Sequence, residues 1–162
     1  MVRKAFLLLI FGMIILPSNY LKSQEIVTSR QLISNYTVEN DTTYLLHFWA
    51  TWCAPCIKEL PEIDSVARQL RNSKFKLVLV SLDFENTLEK RLVPFMKKNS
   101  LPYDLLVLKQ ERGYQWLEVI DSEWSGAIPA SMVIKNTKHD FYEQSFNYNE
   151  LRHLLSEKYL LR

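Results

Sequence analysis

Apolar residues fall along this chain in blocks of different period, and the period assigns each block. Tyr44 to Ala50 (YLLHFWA) is apolar at nearly every position, the pattern of a strand covered on both faces. After it, Ile57, Leu60, Ile63, Ala67 and Leu70 recur in steps of three and four, with Lys58, Glu59, Glu62 and Arg68 on other faces. That spacing predicts an amphipathic helix running to about Arg71. Pro61 lies inside it and should bend the helix without ending it, because the apolar period continues beyond. Lys76 to Leu82 (KLVLVSL) predicts a second buried strand, Thr87 to Lys98 a helix, and Gln115 to Ile120 a weaker one. Pro129 opens a strand over Ser131 to Lys135, which a polar turn at Asn136-Thr137-Lys138 joins to another over Asp140 to Phe146. Leu151, Leu154, Leu155 and Tyr159 line one face of a last helix, introduced by Asn147 or Asn149. Strands and helices in this order place the chain in the α/β class.

The apolar run from Ala5 to Leu16 differs from all of these. Arg3 and Lys4 precede it, and a polar stretch with Ser18 and Ser23 follows, which is the order of a secretory signal. Its 12 residues fall short of the roughly 20 that a spanning helix needs. The expectation is a signal peptide over residues 1–23, a domain over 24–162, and a periplasmic or otherwise extracytoplasmic location. Leu21 fits position −3 of the cleavage site less well than a small residue would, so an uncleaved membrane anchor is the alternative.

Removing Arg3, Lys4 and Lys22 with that segment lowers the formal charge from +2 to −1. The remaining sequence has no basic stripe or Lys/Arg cluster, which argues against nucleic acid as a partner and against an anionic membrane surface. With 3 glycines, 6 prolines, no repeat and no low-complexity linker, one domain is the economical reading, and a monomer is expected.

The two cysteines, Cys53 and Cys56, stand in WCAPC where the first strand turns into the first helix. As a staple they would close a four-residue loop, which chain entropy values at about 1.9 kcal/mol against about 3 for a 15-residue loop. Chemistry is the better reading. Unpaired amides and the dipole at a helix start favour a thiolate, so Cys53 is the expected attacking sulfur. Cys56, one turn deeper, is close enough to bridge it and serves as the resolving thiol. Pro55 sits in the first turn, where its missing N–H costs nothing.

The segment LLHFWATWCAPCIKELPEI resembles the active site of thioredoxin-fold proteins, specifically the exported TlpA/ResA-like thiol–disulfide oxidoreductases, and WSGAIPASMVI resembles their second motif. The likeness runs from about Tyr44 to the C-terminus and is loosest from Phe84 to Glu123. It implies a thioredoxin fold: a central mixed β-sheet flanked by helices. It also implies a cis peptide at Pro129 packed against the cysteine pair, with Trp52, Ile128 and Pro129 forming the substrate-binding wall. Trp49 is expected in the core. Glu59 matches an acidic residue linked to proton handling in ResA-like members; the alternative is a solvated helix carboxylate beside Lys58. His47 stands where thioredoxin carries a buried aspartate. A neutral imidazole there could accept the Cys56 proton, but a core histidine satisfied by a backbone carbonyl is the expectation. His139 and His153 are expected at the surface.

The resemblance implies a disulfide oxidoreductase acting on disulfide-bearing or dithiol exported proteins, as a reductase of particular partners, recharged by a membrane or periplasmic electron donor. No cofactor or metal is implied. A zinc or haem site would need further cysteines or a histidine after Cys56, where Ile57 stands. A peroxidase reading is weakened by Ala50, at a position where related peroxide-reducing enzymes carry threonine. A non-catalytic binding module on the same fold and a copper-handling protein remain as alternatives. Direction depends on a potential that ranges from roughly −270 mV in thioredoxin to about −120 mV in DsbA.

Overall fold

The computed structural model describes residues 24–160; the expected signal peptide over 1–23 lies outside them. Six strands form one mixed sheet in the order β1-β4-β3-β2-β5-β6. Its centre is β2 (Thr43–Trp49) beside β3 (Phe75–Ser81), paired in parallel from Thr43 with Phe75 to Trp49 with Ser81. Both are buried along almost their whole length, which is why both read as unbroken apolar runs. β4 (Asp104–Leu108) continues the parallel set, and the short β1 (Glu25–Val27) pairs with it at the edge. On the other side, β5 (Ala130–Lys135) and β6 (Lys138–Tyr142) add an antiparallel hairpin. Its turn is tight: Asn136 takes a positive φ of 56°, a conformation that asparagine tolerates well. A mixed sheet with flanking helices is the architecture that the resemblance implies.

Three helices cover one face. α2 (Ala54–Leu70) and α3 (Val93–Asn99) lie in the successive crossovers from β2 to β3 to β4, and α5 (Tyr148–Leu155) packs beside α2. α1 (Ser29–Tyr36) and α4 (Gln115–Ile120) pack together. α2 runs through Pro61 without a break, burying Leu60, Ile63, Val66 and Ala67 as its period predicts. α5 starts where expected: the Asn147 side chain accepts from the Glu150 amide, and the Glu150 carboxylate accepts from the Asn147 amide.

Five features depart from the reading of the sequence. The helix expected over Thr87 to Lys98 is a 3₁₀ turn at Glu85–Thr87, a π turn at Leu88–Leu92 and then α3. Pro94 has no N–H for the Lys90 carbonyl, and its ring crowds that oxygen, so the ladder widens just before it. β6 ends at Tyr142, not Phe146, because the chain leaves the sheet to enter the cap of α5. β1, α1 and β4 were not predicted. β1 has three residues and β4 five, too few to show a period, whereas α1 does carry a capping box of Thr28 with Gln31 that marks its start.

Replacing Asn147 with Ala should lower stability by about 1 kcal/mol, read as a fall in the urea midpoint at unchanged slope, while Asn147→Asp should keep most of it.

Candidate active site

The site lies at the carboxyl ends of β2 and β3, where α/β sheets place their crevices. β2 ends at Trp49, three residues form a turn, and α2 begins at Ala54 with Cys53 as its N-cap. The Cys53 sulfur accepts a hydrogen bond from the Cys56 amide at 3.3 Å, the position that an oxygen fills in most capped helices. Cys53 and Cys56 are joined as a disulfide. Cys53 keeps 5% of its surface exposed and Cys56 none, so only the first sulfur meets solvent.

The Ile128-Pro129 peptide is cis, and the Ile128 carbonyl oxygen lies 3.6 Å from the Cys53 sulfur. An aromatic stack holds the strand carrying this peptide. Trp124 packs on Phe48 with ring centres 4.9 Å apart and on Trp116 at 5.9 Å, and its indole N–H donates to the Ala127 carbonyl. Trp49 is fully buried against Phe95, whereas Trp52 projects with half its surface exposed.

Two buried polar clusters brace the turn and the helix. Asp83, 1% exposed, follows β3 and takes three donors: the Thr51 amide at 3.0 Å, the Thr51 hydroxyl, and the Ser81 hydroxyl at 2.8 Å. It thereby ties the Cys53 turn to the end of the neighbouring strand. No expectation named Asp83. Its signal was an acidic residue directly after the apolar run KLVLVSL, a place where a loop carboxylate is common and carries no message by itself.

The second cluster joins His47, Glu59 and Ser131. Glu59 is buried, not on an exposed helix face as its neighbours Lys58 and Glu62 suggested. One carboxylate oxygen accepts from the Phe146 amide at 3.0 Å; the other faces His47 Nε2 at 3.3 Å. The second ring nitrogen of His47, Nδ1, lies 3.0 Å from the Ser131 hydroxyl on the paired strand. The expected carbonyl partner of His47 is therefore replaced at Nδ1 by Ser131, which the register sets opposite it, while Nε2 faces Glu59 without a hydrogen bond. His139 and His153 are at the surface, with His139 3.9 Å from Asp121.

Burial dominates the acid–base behaviour of the pair. It raises the Glu59 carboxyl to about 7, against the lowering pull of the Phe146 amide and Ser145, and it lowers His47 to about 4. Neither charged form is favoured, so between those values the two side chains hold one proton between them. Glu59 follows Cys56 by one helical turn, on the same face of α2.

Residues 17–139 match the AhpC/TSA family. Sporulation thiol-disulfide oxidoreductase A of Bacillus subtilis (strain 168) is 35% identical over 63 residues, covering 39% of this chain and 38% of that one. The thiol-disulfide oxidoreductase ResA of Oceanobacillus iheyensis is 41% identical over 39 residues, covering 24% and 20%. The matched stretches thus span well under half of these relatives. A thiol:disulfide interchange protein of the thioredoxin family from Chlorobium tepidum TLS superposes with a TM-score of 0.57 at 18% identity, over 72% of this chain and 79% of that one, so the fold is the thioredoxin fold.

The His47–Glu59 pair sets opposite pH slopes. Glu59, raised from 4.5, favours the folded state less as pH climbs from 4.5 towards 7. His47, lowered from 6.5, favours it more as pH climbs from about 4 to 6.5. Between 4.5 and 6.5 the two cancel. Relative to wild type, His47→Asn should therefore lose stability across that window and Glu59→Gln should gain it, each by on the order of 1 kcal/mol per pH unit. Urea midpoints at three pH values measure this; drifts in the same direction would show that the two groups do not oppose each other.

Proposed function

This chain belongs to the AhpC/TSA family, and on that premise we propose that it is an exported thiol–disulfide oxidoreductase that works through Cys53 and Cys56. The observation that carries the reading is the Cys53 sulfur at the start of α2, held 3.3 Å from the Cys56 amide. An N–H aimed at that sulfur, with the positive end of a 17-residue helix behind it, stabilises a thiolate there once the disulfide is opened. The names of the two curated relatives support the same chemistry.

In the reducing direction the Cys53 thiolate attacks one sulfur of a partner disulfide, forms a mixed disulfide and releases the other partner sulfur as a thiolate. Cys56 then loses its proton and attacks the Cys53 sulfur. The partner leaves with both sulfurs reduced, two electrons richer, and the Cys53–Cys56 disulfide remains. Glu59, poised near neutrality and one turn from Cys56, receives that proton, with His47 orienting the carboxylate. Trp52, Ile128 and Pro129 wall the approach to Cys53, and the Ile128 carbonyl beside the sulfur offers an acceptor to an extended partner segment. A dithiol protein of the envelope restores the reduced state. Partners are exported proteins with accessible disulfides, and residues 1–23 are assigned as a cleaved signal.

The two serine variants separate these roles. Cys56→Ser keeps the activated sulfur and loses the resolving one, so it should accumulate covalent complexes seen as heavier bands that dithiothreitol removes. Cys53→Ser keeps only the shielded thiol and should trap little. Equal trapping by both, together with failure of the wild type to reduce insulin, would leave a binding module. Mass spectrometry of protein from the native envelope should place the mature N-terminus near Gln24; an intact Met1 in the membrane fraction would mean an anchor instead.

A further inference from the structure

A groove of about 540 Å³ opens beside Cys53, walled by Trp52, Phe84, Glu111, Tyr114 and Trp116. It is built by the loops that follow β2, β3 and β4, so it spans the carboxyl ends of three adjacent parallel strands, with Trp52 shared between groove and cysteine turn. Five large hydrophobic side chains are exposed among the described residues. Three of them, Trp52, Phe84 and Tyr114 at 51%, 56% and 81%, face this one groove. Aromatic surface gathered in one place and left uncovered marks an interaction site more strongly than the same surface scattered.

The groove is also held open. Gln110 donates to the Leu82 carbonyl at 2.7 Å, pinning the β4 loop to the end of β3. Gly113 turns that loop at a φ of 80°, which presents Tyr114 outward. A second hollow of about 300 Å³ shares Phe84 and Gln110 with the first and is lined by Asp83 and Glu85. Neither lining contains a lysine, arginine or histidine, whereas the first holds Glu111 and the second two carboxylates. Asp83 is consumed by its own hydrogen bonds, which leaves Glu111 and Glu85 exposed at the rims. Aromatic faces with a carboxylate at their rim, here Glu111, attract cations and repel acidic side chains. Lys109 and Arg112 lie on the same loop but line neither hollow.

We propose that this groove selects substrates: it takes a lysine or arginine that stands next to the reactive cysteine on an extended partner segment. The proposal rests on the thiol–disulfide exchange assigned above and adds its specificity. The cationic side chain lies across Trp52 and Phe84 towards Glu111, with Tyr114 as the outer wall, while its cysteine meets Cys53. Continuity through Trp52 makes the groove part of the same approach. Most of its wall comes from the segment between Phe84 and Glu123, where the resemblance to TlpA/ResA-like proteins is loosest, so the preference belongs to this chain and not to the fold.

The test uses reduced full-length mature protein and three synthetic peptides, each with one cysteine held in a mixed disulfide with thionitrobenzoate. The residues flanking that cysteine are lysine, norleucine or glutamate. Attack by Cys53 on the peptide sulfur releases the coloured thionitrobenzoate anion, and Cys56 then frees the peptide thiol. In this single turnover the lysine peptide should react with a second-order rate constant about tenfold above that of the norleucine peptide, with the glutamate peptide slowest. In Glu111→Gln and in Tyr114→Ser the lysine advantage should shrink to within about twofold, whereas Glu62→Gln, an exposed carboxylate on α2 away from the groove, should leave it intact. Equal rates for the three peptides, or an advantage that survives both groove variants, would overturn the groove and leave the exchange chemistry standing. Failure of all three peptides to react would overturn the exchange chemistry and the groove with it.

Discussion

The first turn of α2 is capped by a sulfur, and most of what surrounds it serves that placement. A helix start leaves amides without partners, and here the Cys53 sulfur accepts one of them at 3.3 Å. Sulfur is a weak acceptor when neutral and a good one when ionised, so the cap is strongest when the disulfide is open and Cys53 is a thiolate. β2 sets this position. It delivers Trp49, fully buried, three residues before the turn ends, and its parallel pairing with β3 runs to Ser81. A shift of one residue in that register would turn every β2 side chain to the other face and take His47 away from Ser131.

Buried carboxylates do two different jobs around that cap. Asp83 is surrounded by donors, and its role is to hold the turn. Glu59 has the Phe146 amide and Ser145 as donors and faces a histidine that burial keeps neutral, and burial outweighs those donors, so its carboxyl is raised to about 7. One acid braces; the other stores a proton.

Much of this was legible in the sequence because the site grows from contiguous residues. The run YLLHFWA, the pair in WCAPC and the period from Ile57 to Leu70 each specify an element, and together they put Cys53 at a helix start. The long-range partners were less legible. His47 meets Ser131 across a strand pairing and Glu59 across a helix-to-sheet contact, and no local spacing encodes either. Glu59 looked exposed since it sits between Lys58 and Glu62 in sequence, yet its position three residues after Cys56 turns it inward with the apolar face. β1 and β4 escaped because they are short, and the groove wall escaped because loops show no period.

The parallel pairing of β1 with β4 constrains how the chain folds as it emerges. Glu25 to Val27 are made long before Leu106 to Leu108, the strand they pair with among the described residues. β1 lies at the sheet edge beside β4, so its native pairing waits until β4 has been made, after β2, β3 and the helix between them. Until then Ile26 and its backbone edge are open to other chains, and only the brevity of a three-residue strand limits what they can recruit. The strand nearest the N-terminus thus cannot take its place until Leu108 has been made, and any factor that holds the early chain extended acts on it throughout that interval.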